Sequence, residues 1–63
     1  MTAHSIEAYA RALGFDPSHG GVHRQLAELY LRRGDSARAI EYAMAAEKLG
    51  TPIEPSLRVE IFR

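Results

Sequence analysis

The stretch LAELYLRRGDSARAIEYAMAAEKLG, Leu26 to Gly50, consists of two helix-forming blocks interrupted once, at Gly34-Asp35. Upstream of the break, Val22, Leu26, Leu29 and Tyr30 recur at steps of three and four and form one apolar stripe. Arg24, Glu28 and Arg32 lie on another stripe, four residues apart, which suits a ladder of ion pairs. A helix from about Gly20 to Arg33 follows, with Ser18 as its expected N-cap and a first turn loosened by Gly20 and Gly21. Gly34 is the residue type that takes a left-handed conformation without penalty, so it ends this helix, and Asp35 or Ser36 can cap the next. So short a break forces a tight antiparallel hairpin.

The second block predicts a helix over about 36 to 49. Its inner face is read as Ile40, Ala43, Met44 and Leu49, with Arg38, Glu41 and Lys48 outside. Most of its remaining apolar residues are alanines, and small side chains let helix axes approach closely. Working outward, HSIEAYARALG places Ile6, Tyr9 and Leu13 on one face of a further helix near 3 to 14. Ser5 or Thr2 is the expected cap and Gly14 the expected end, and Pro17 forbids helix at Asp16. The fold class expected is all-α: an antiparallel helix hairpin, one preceding helix, and a short C-terminal helix or extended tail.

A chain of 63 residues is one domain with a thin margin. Unfolded it exposes roughly 10,000 Å², and as a compact monomer about 4,000 Å². Burying the apolar part yields on the order of 90 kcal/mol, and ordering the chain at ~1.5 kcal/mol per residue costs about the same. Cysteine is absent, which removes disulfides and thiolate metal sites. Association with a copy or a partner is the remaining source of stability. Eight basic and eight acidic side chains cancel, so neither nucleic acid nor an anionic membrane is an expected partner. No apolar run is long enough to span a bilayer, and MTAHSIEAYARALG lacks the basic start and apolar stretch of a secretory signal. A soluble, cytoplasmic protein is expected.

Sliding the chain by 34 residues lays Ser5-Ile6-Glu7 on Ala39-Ile40-Glu41 and Ala12 on Ala46. With that period in hand, the chain resembles the tetratricopeptide repeat family, whose unit is a helix hairpin of the same length. The family pattern is met by His23-x2-Leu26-Ala27-x2-Tyr30, then Ala39-x3-Ala43, then Ala46 and Pro52. In the preceding half unit Ser5-x3-Tyr9, Ala12 and Pro17 take the matching places, and RRGD matches the family's hairpin turn. His23 stands where the family prefers Trp, Ala27 where it prefers Gly and Ala43 where it prefers an aromatic, while Pro52 comes one residue late. The resemblance covers residues 3 to 52. It implies a fragment of a right-handed α-α superhelix: 3–14 as the second helix of a partial repeat, 18–51 as one complete repeat, and 53–63 as the start of a further helix or a tail.

No constellation for catalysis is present, and an enzyme is not expected. His19 and His23 have the spacing of a metal pair on a helix, but no third ligand stands at a suitable interval, and His23 occupies the place of a packed aromatic. The serines at 5, 18, 36 and 56 are explained by caps and turns. Gly20-Gly21 opens a helix without the preceding strand or nearby lysine of a phosphate cradle. A helix-turn-helix reading fails because the candidate recognition helix offers mainly Arg38, with Glu41 and Glu47 repelling phosphate. No cofactor and no metal are expected.

In the resembling family the first helix of each hairpin lines a concave groove that holds partner peptides. Carried over, this implies Arg24, Glu28, Leu31 and Arg32 as the groove residues here. The alternative is a merely solvated, salt-bridged face. Some members of that family grip a terminal carboxylate with Lys, Asn and Arg. This chain has no Asn, and Glu28 opposes a carboxylate, so that mode is not expected.

The tail EPSLRVEIFR reads as a helix by repeat rhythm, with Pro55 suited to its first turn. It also reads as a strand, with Leu57, Val59 and Ile61 on one side and Arg58 and Glu60 on the other. Either form turns apolar residues toward a partner. The surface expected to dock is therefore the small-residue face Ala39, Ala43 and Ala46 together with Leu57, Val59, Ile61 and Phe62. About three repeats are usual before an array is stable, and this chain has one and a half. The leading expectation is a small helical adaptor that binds a protein or peptide or self-associates as a homo-oligomer. The rival is a purely structural, self-assembling repeat subunit, or a fragment of a longer repeat protein, with no separate ligand.

Overall fold

A computed structural model describes residues 2–63, with side chains from Ile6 onward. The described residues form four helices and no strand: α1 (Thr2–Phe15), α2 (Gly20–Arg33), α3 (Ser36–Lys48) and α4 (Pro55–Ile61). The chain is all-α, and its accessible surface of 4335 Å² is that of a compact monomer of this length.

The hairpin forms where the local chemistry of its break dictates. Gly34 sits at φ 93°, and its N–H donates to the Leu31 carbonyl at 3.0 Å while the Asp35 N–H donates to the Tyr30 carbonyl at 2.9 Å. This six-to-one closure satisfies the last carbonyls of α2, and the positive φ is what restricts the position to glycine. Asp35 Oδ1 then accepts the Arg38 N–H at 3.1 Å and starts α3. The end of α3 repeats the device: Gly50 is at φ 86°, and the Thr51 N–H donates to the Ala46 carbonyl at 2.9 Å.

Two boundaries differ from expectation, and the tail takes one of the two forms left open for it. The α2 cap is His19, whose Nδ1 accepts the Val22 N–H at 3.1 Å, whereas Ser18 spends its own N–H on Asp16 Oδ1 at 3.3 Å. The imidazole takes the place one residue later because Asp16 and Pro17 already set up the turn. Gly14 does not end α1, which runs through Phe15 until Asp16, the residue that Pro17 excludes from helix. Residues 53–63 form a helix from Pro55 to Ile61 rather than a strand, since the Arg58 N–H donates to the Glu54 carbonyl at 2.8 Å and Pro55 needs no partner at its position. The caps suggested at Thr2 or Ser5 fall outside the described side chains.

The core gathers Ile6 from α1, Val22, Leu26, Ala27 and Tyr30 from α2, and Ala39, Ala43 and Ala46 from α3. Ile53 and Ile61 close it from the tail. Gly20 is needed for a close approach: a Cβ there would collide with the Thr51 side chain of the α3–α4 turn. Met44 and Leu49, expected inside, are 58% and 42% exposed. The alanine stripe, not the Met44 side of α3, faces the core.

Candidate functional site

Of the four groove residues, two line a cavity. Arg24 and Glu28, with Gln25 between them, project from α2 toward the start of α4, where Glu54, Ser56 and Leu57 complete a cavity of about 330 Å³. α4, which begins at Pro55, packs against α2 as well as α3 and so brings these residues together. Leu31 is half-buried and packs against the core, and Arg32 lies outside the cavity on the exposed side of α2.

The expected ladder forms by half. Arg32 Nη2 donates to Glu28 Oε2 at 2.9 Å, but among the described residues Arg24 makes no ion pair. Its Nε is buried and has no hydrogen-bond partner in the protein. A buried N–H without an acceptor is costly, while the rest of the half-buried Arg24 side chain reaches the cavity. Glu54 at the cavity edge carries a carboxylate outside any ion pair among the described residues. The cavity thus joins the Arg24 guanidinium, the Glu28 and Glu54 carboxylates, the Gln25 amide, the Ser56 hydroxyl and the apolar Leu57, with one more acidic than basic side chain. Gln25, Glu54 and Ser56 were not singled out from the sequence. No local signal in the sequence brings residues 54–57 beside residues 24–28.

The second predicted surface is corrected in large part. Ala39, Ala43 and Ala46 have no exposed surface, and Ile61 is 3% exposed, so none of these four is available to a partner. The short break folds α3 back onto α2, and Ile53 and Ile61 join the same cluster, so the chain's own hairpin and tail occupy the face expected to be bare. Leu57 is half-buried and takes part in the cavity beside α2. Only Val59, 65% exposed, and Phe62, 36% exposed, remain on the outside, in a shallow depression with Pro55, Arg58 and Arg63. Arg58 ties this surface to α3: its Nε donates to Glu47 Oε2 at 2.8 Å, and its guanidinium lies 5.1 Å from the centre of the Phe62 ring. The Glu47 carboxylate raises the affinity of Arg58 for its proton, through the hydrogen bond first and the charge second.

The histidines belong to packing and capping. His23 is half-buried, its ring 5.8 Å from that of Tyr42, which in turn stacks on Tyr30 at 5.5 Å with planes 4° apart. Tyr42 of α3 thereby supplies the aromatic contact that Ala43 cannot. Among the described residues no three His, Asp or Glu side chains assemble into a group able to hold a metal ion. Among them also, no helix is long and apolar enough to cross a membrane. No family model matches the chain, and no curated protein or solved structure matches it.

Proposed function

We propose that the chain is a protein-interaction module of tetratricopeptide-like design, and that the cavity between α2 and α4 takes an extended peptide segment of a partner protein. The observation that carries this reading is a cavity lined by Arg24 and Glu54, neither in an ion pair among the described residues, with Gln25, Ser56 and Leu57 beside them. An extended main chain presents carbonyls and N–H groups in alternation, so it supplies an acceptor for Arg24 and a donor for Glu54 or Gln25. Leu57 offers the accompanying apolar contact. The excess of acidic over basic side chains in the lining, Glu28 and Glu54 against Arg24, disfavours a terminal carboxylate as the recognised group. The packing of α4 against α2 supports the repeat design, and the groove residues Arg24 and Glu28 implied by the family likeness both line the cavity.

The test is selection from a random extended-peptide library on the immobilised full chain, followed by amide chemical-shift mapping of a selected peptide. Shifts centred on Arg24, Gln25, Glu28, Glu54 and Ser56 are expected, with affinity falling at least about tenfold in Arg24→Leu, the equivalent of ~1.4 kcal/mol. A library that yields no binder, or shifts centred elsewhere, refutes the reading.

A second reading, a self-assembling subunit without a separate ligand, draws on exposed Met44, Val59 and Phe62. It requires molecular mass to rise with concentration and to fall back in Val59→Glu/Phe62→Glu. A mass that stays monomeric over a hundredfold concentration range removes it.

A further inference from the structure

Two exposed apolar patches lie away from the peptide cavity, and they differ in charge. On α3, Met44 and half-buried Ala45 are accompanied by Glu41, Glu47 and Lys48. On α4, Pro55, Val59 and Phe62 are accompanied by Arg58 and Arg63, and no acidic residue lines that depression. One patch is thus apolar with more acid than base, and the other is apolar with base alone. They share an edge, because Arg58 of the second donates to Glu47 of the first at 2.8 Å. Among the described residues Glu41, Lys48 and Arg63 form no ion pair within the chain.

We infer that the two patches are halves of one self-complementary dimer face, on which α4 of each copy docks against the outer side of α3 of the other. Adjoining patches of opposite character answer each other when a second copy is turned through a half rotation. Both contacts then form at once and the assembly closes at two chains. Val59 and Phe62 of one copy meet Met44 and Ala45 of the other, and the unpaired charge of Arg63 meets that of Glu41.

A second copy is the occupant that the chemistry favours. The α4 patch calls for acid beside an apolar side chain, and the outer side of α3 displays that combination. The chain carries no net charge, so copies do not repel one another on approach. A domain this short also buries a small share of its surface by itself, and association stabilises it by mass action. The inference rests on the self-assembly reading above and adds to it which faces meet and where growth stops. It is independent of the peptide cavity, none of whose lining residues belongs to either patch.

The experiment measures mass by sedimentation equilibrium for the full chain and for two variants, alone and mixed. Met44→Lys sets a cation against Arg58 and Arg63 of the other copy, and Val59→Glu sets an anion against Glu41 and Glu47. Both positions are exposed, so the core is untouched, and circular dichroism checks that helix content is kept. The parent should pass from one chain to two over about a hundredfold rise in concentration and go no further. Each variant alone should associate at least about tenfold more weakly. An equimolar mixture should recover the dimer, since the intact α4 patch of one variant meets the intact α3 patch of the other, and the two altered positions bring opposite charges together. A parent that stays monomeric overturns both this inference and the self-assembly reading. Growth past two chains, variants that associate as the parent does, or a mixture that stays monomeric overturns the reciprocal pairing of α3 with α4 alone. If either variant loses helix, Arg63→Glu and Glu41→Arg decide instead: each should weaken the dimer and the two in one chain should restore it, and a double variant no tighter than the singles overturns the inference.

Discussion

In the α2–α3 hairpin, Ala27, Ala39, Ala43 and Ala46 are wholly withdrawn from solvent, whereas in α4 the bulkier Val59 and Phe62 stay on the surface. Small side chains are buried because two long helices, locked by Gly34 and Asp35, come close along their whole length. The seven residues of α4 have no side-chain cap at Glu54, and α4 is pinned by Ile61 and half-buried Leu57, with Ile53 just ahead of it. Burial thus follows the number of turns that find a partner rather than the size of the side chain.

Breaking the hairpin should cost most. Leu26→Ala removes the largest fully buried side chain and is expected to cost about 2–5 kcal/mol, comparable with the whole stability of so small a domain. Urea unfolding followed by far-ultraviolet circular dichroism measures it. Next, Ala43→Leu should cost about 1–3 kcal/mol by forcing the helices apart, while Val59→Leu on α4 should stay within about 0.5 kcal/mol. Equal effects from these two would show that the hairpin is not closely packed.

The glycines sharpen the contrast through sign. Gly34→Ala, at positive φ, should lose about 1 kcal/mol. Gly14→Ala has helical surroundings and nothing within 4 Å of the added methyl, and should gain about 0.4–1 kcal/mol. Thermal melts of the two variants should move in opposite directions.

A smaller, pH-dependent term comes from Tyr42. Burial first, then the neighbouring Tyr30, raises its pKa above the ordinary tyrosine value, with Glu41 adding to the shift and Arg38 opposing it. The folded chain keeps this proton more tightly than the unfolded one. Its contribution is therefore complete below about pH 10 and lost as pH rises through the folded value. Tyr42→Phe should flatten the alkaline limb of a Tm-against-pH curve, and an unchanged limb would contradict the burial of that ring. Smallest of all, Arg58→Ala should leave the melting of the hairpin unmoved, because its pair with Glu47 stands in solvent.

Much of this was legible beforehand where the cause is local. The hairpin break, the α2 span and the Asp35 cap follow from glycine, spacing and capping chemistry within a few residues. The His19 cap was not legible, because serine is the commoner cap and the choice depended on what Asp16 and Pro17 had already done with the turn. For the tail, alternation and repeat rhythm pointed in different directions, and the N-terminal proline with its helical hydrogen bonds decided it. Arg24 and Glu28, expected from residue pattern and likeness, both line the cavity, but half of it comes from Glu54, Ser56 and Leu57, nearly thirty residues away. Their arrival beside α2 depends on how far the chain returns.

By itself the amino-acid order determined the helices, the turn and the alanine stripe, since periodicity and caps act over one or two turns of chain. What covers that stripe was decided only by tertiary structure. An apolar face states that it will be buried, and says nothing about whether its cover comes from another molecule or from the same one. Here α2 together with Ile53 and Ile61 reached it first, because a partner already tethered by a short turn has far less freedom to lose than one arriving from solution.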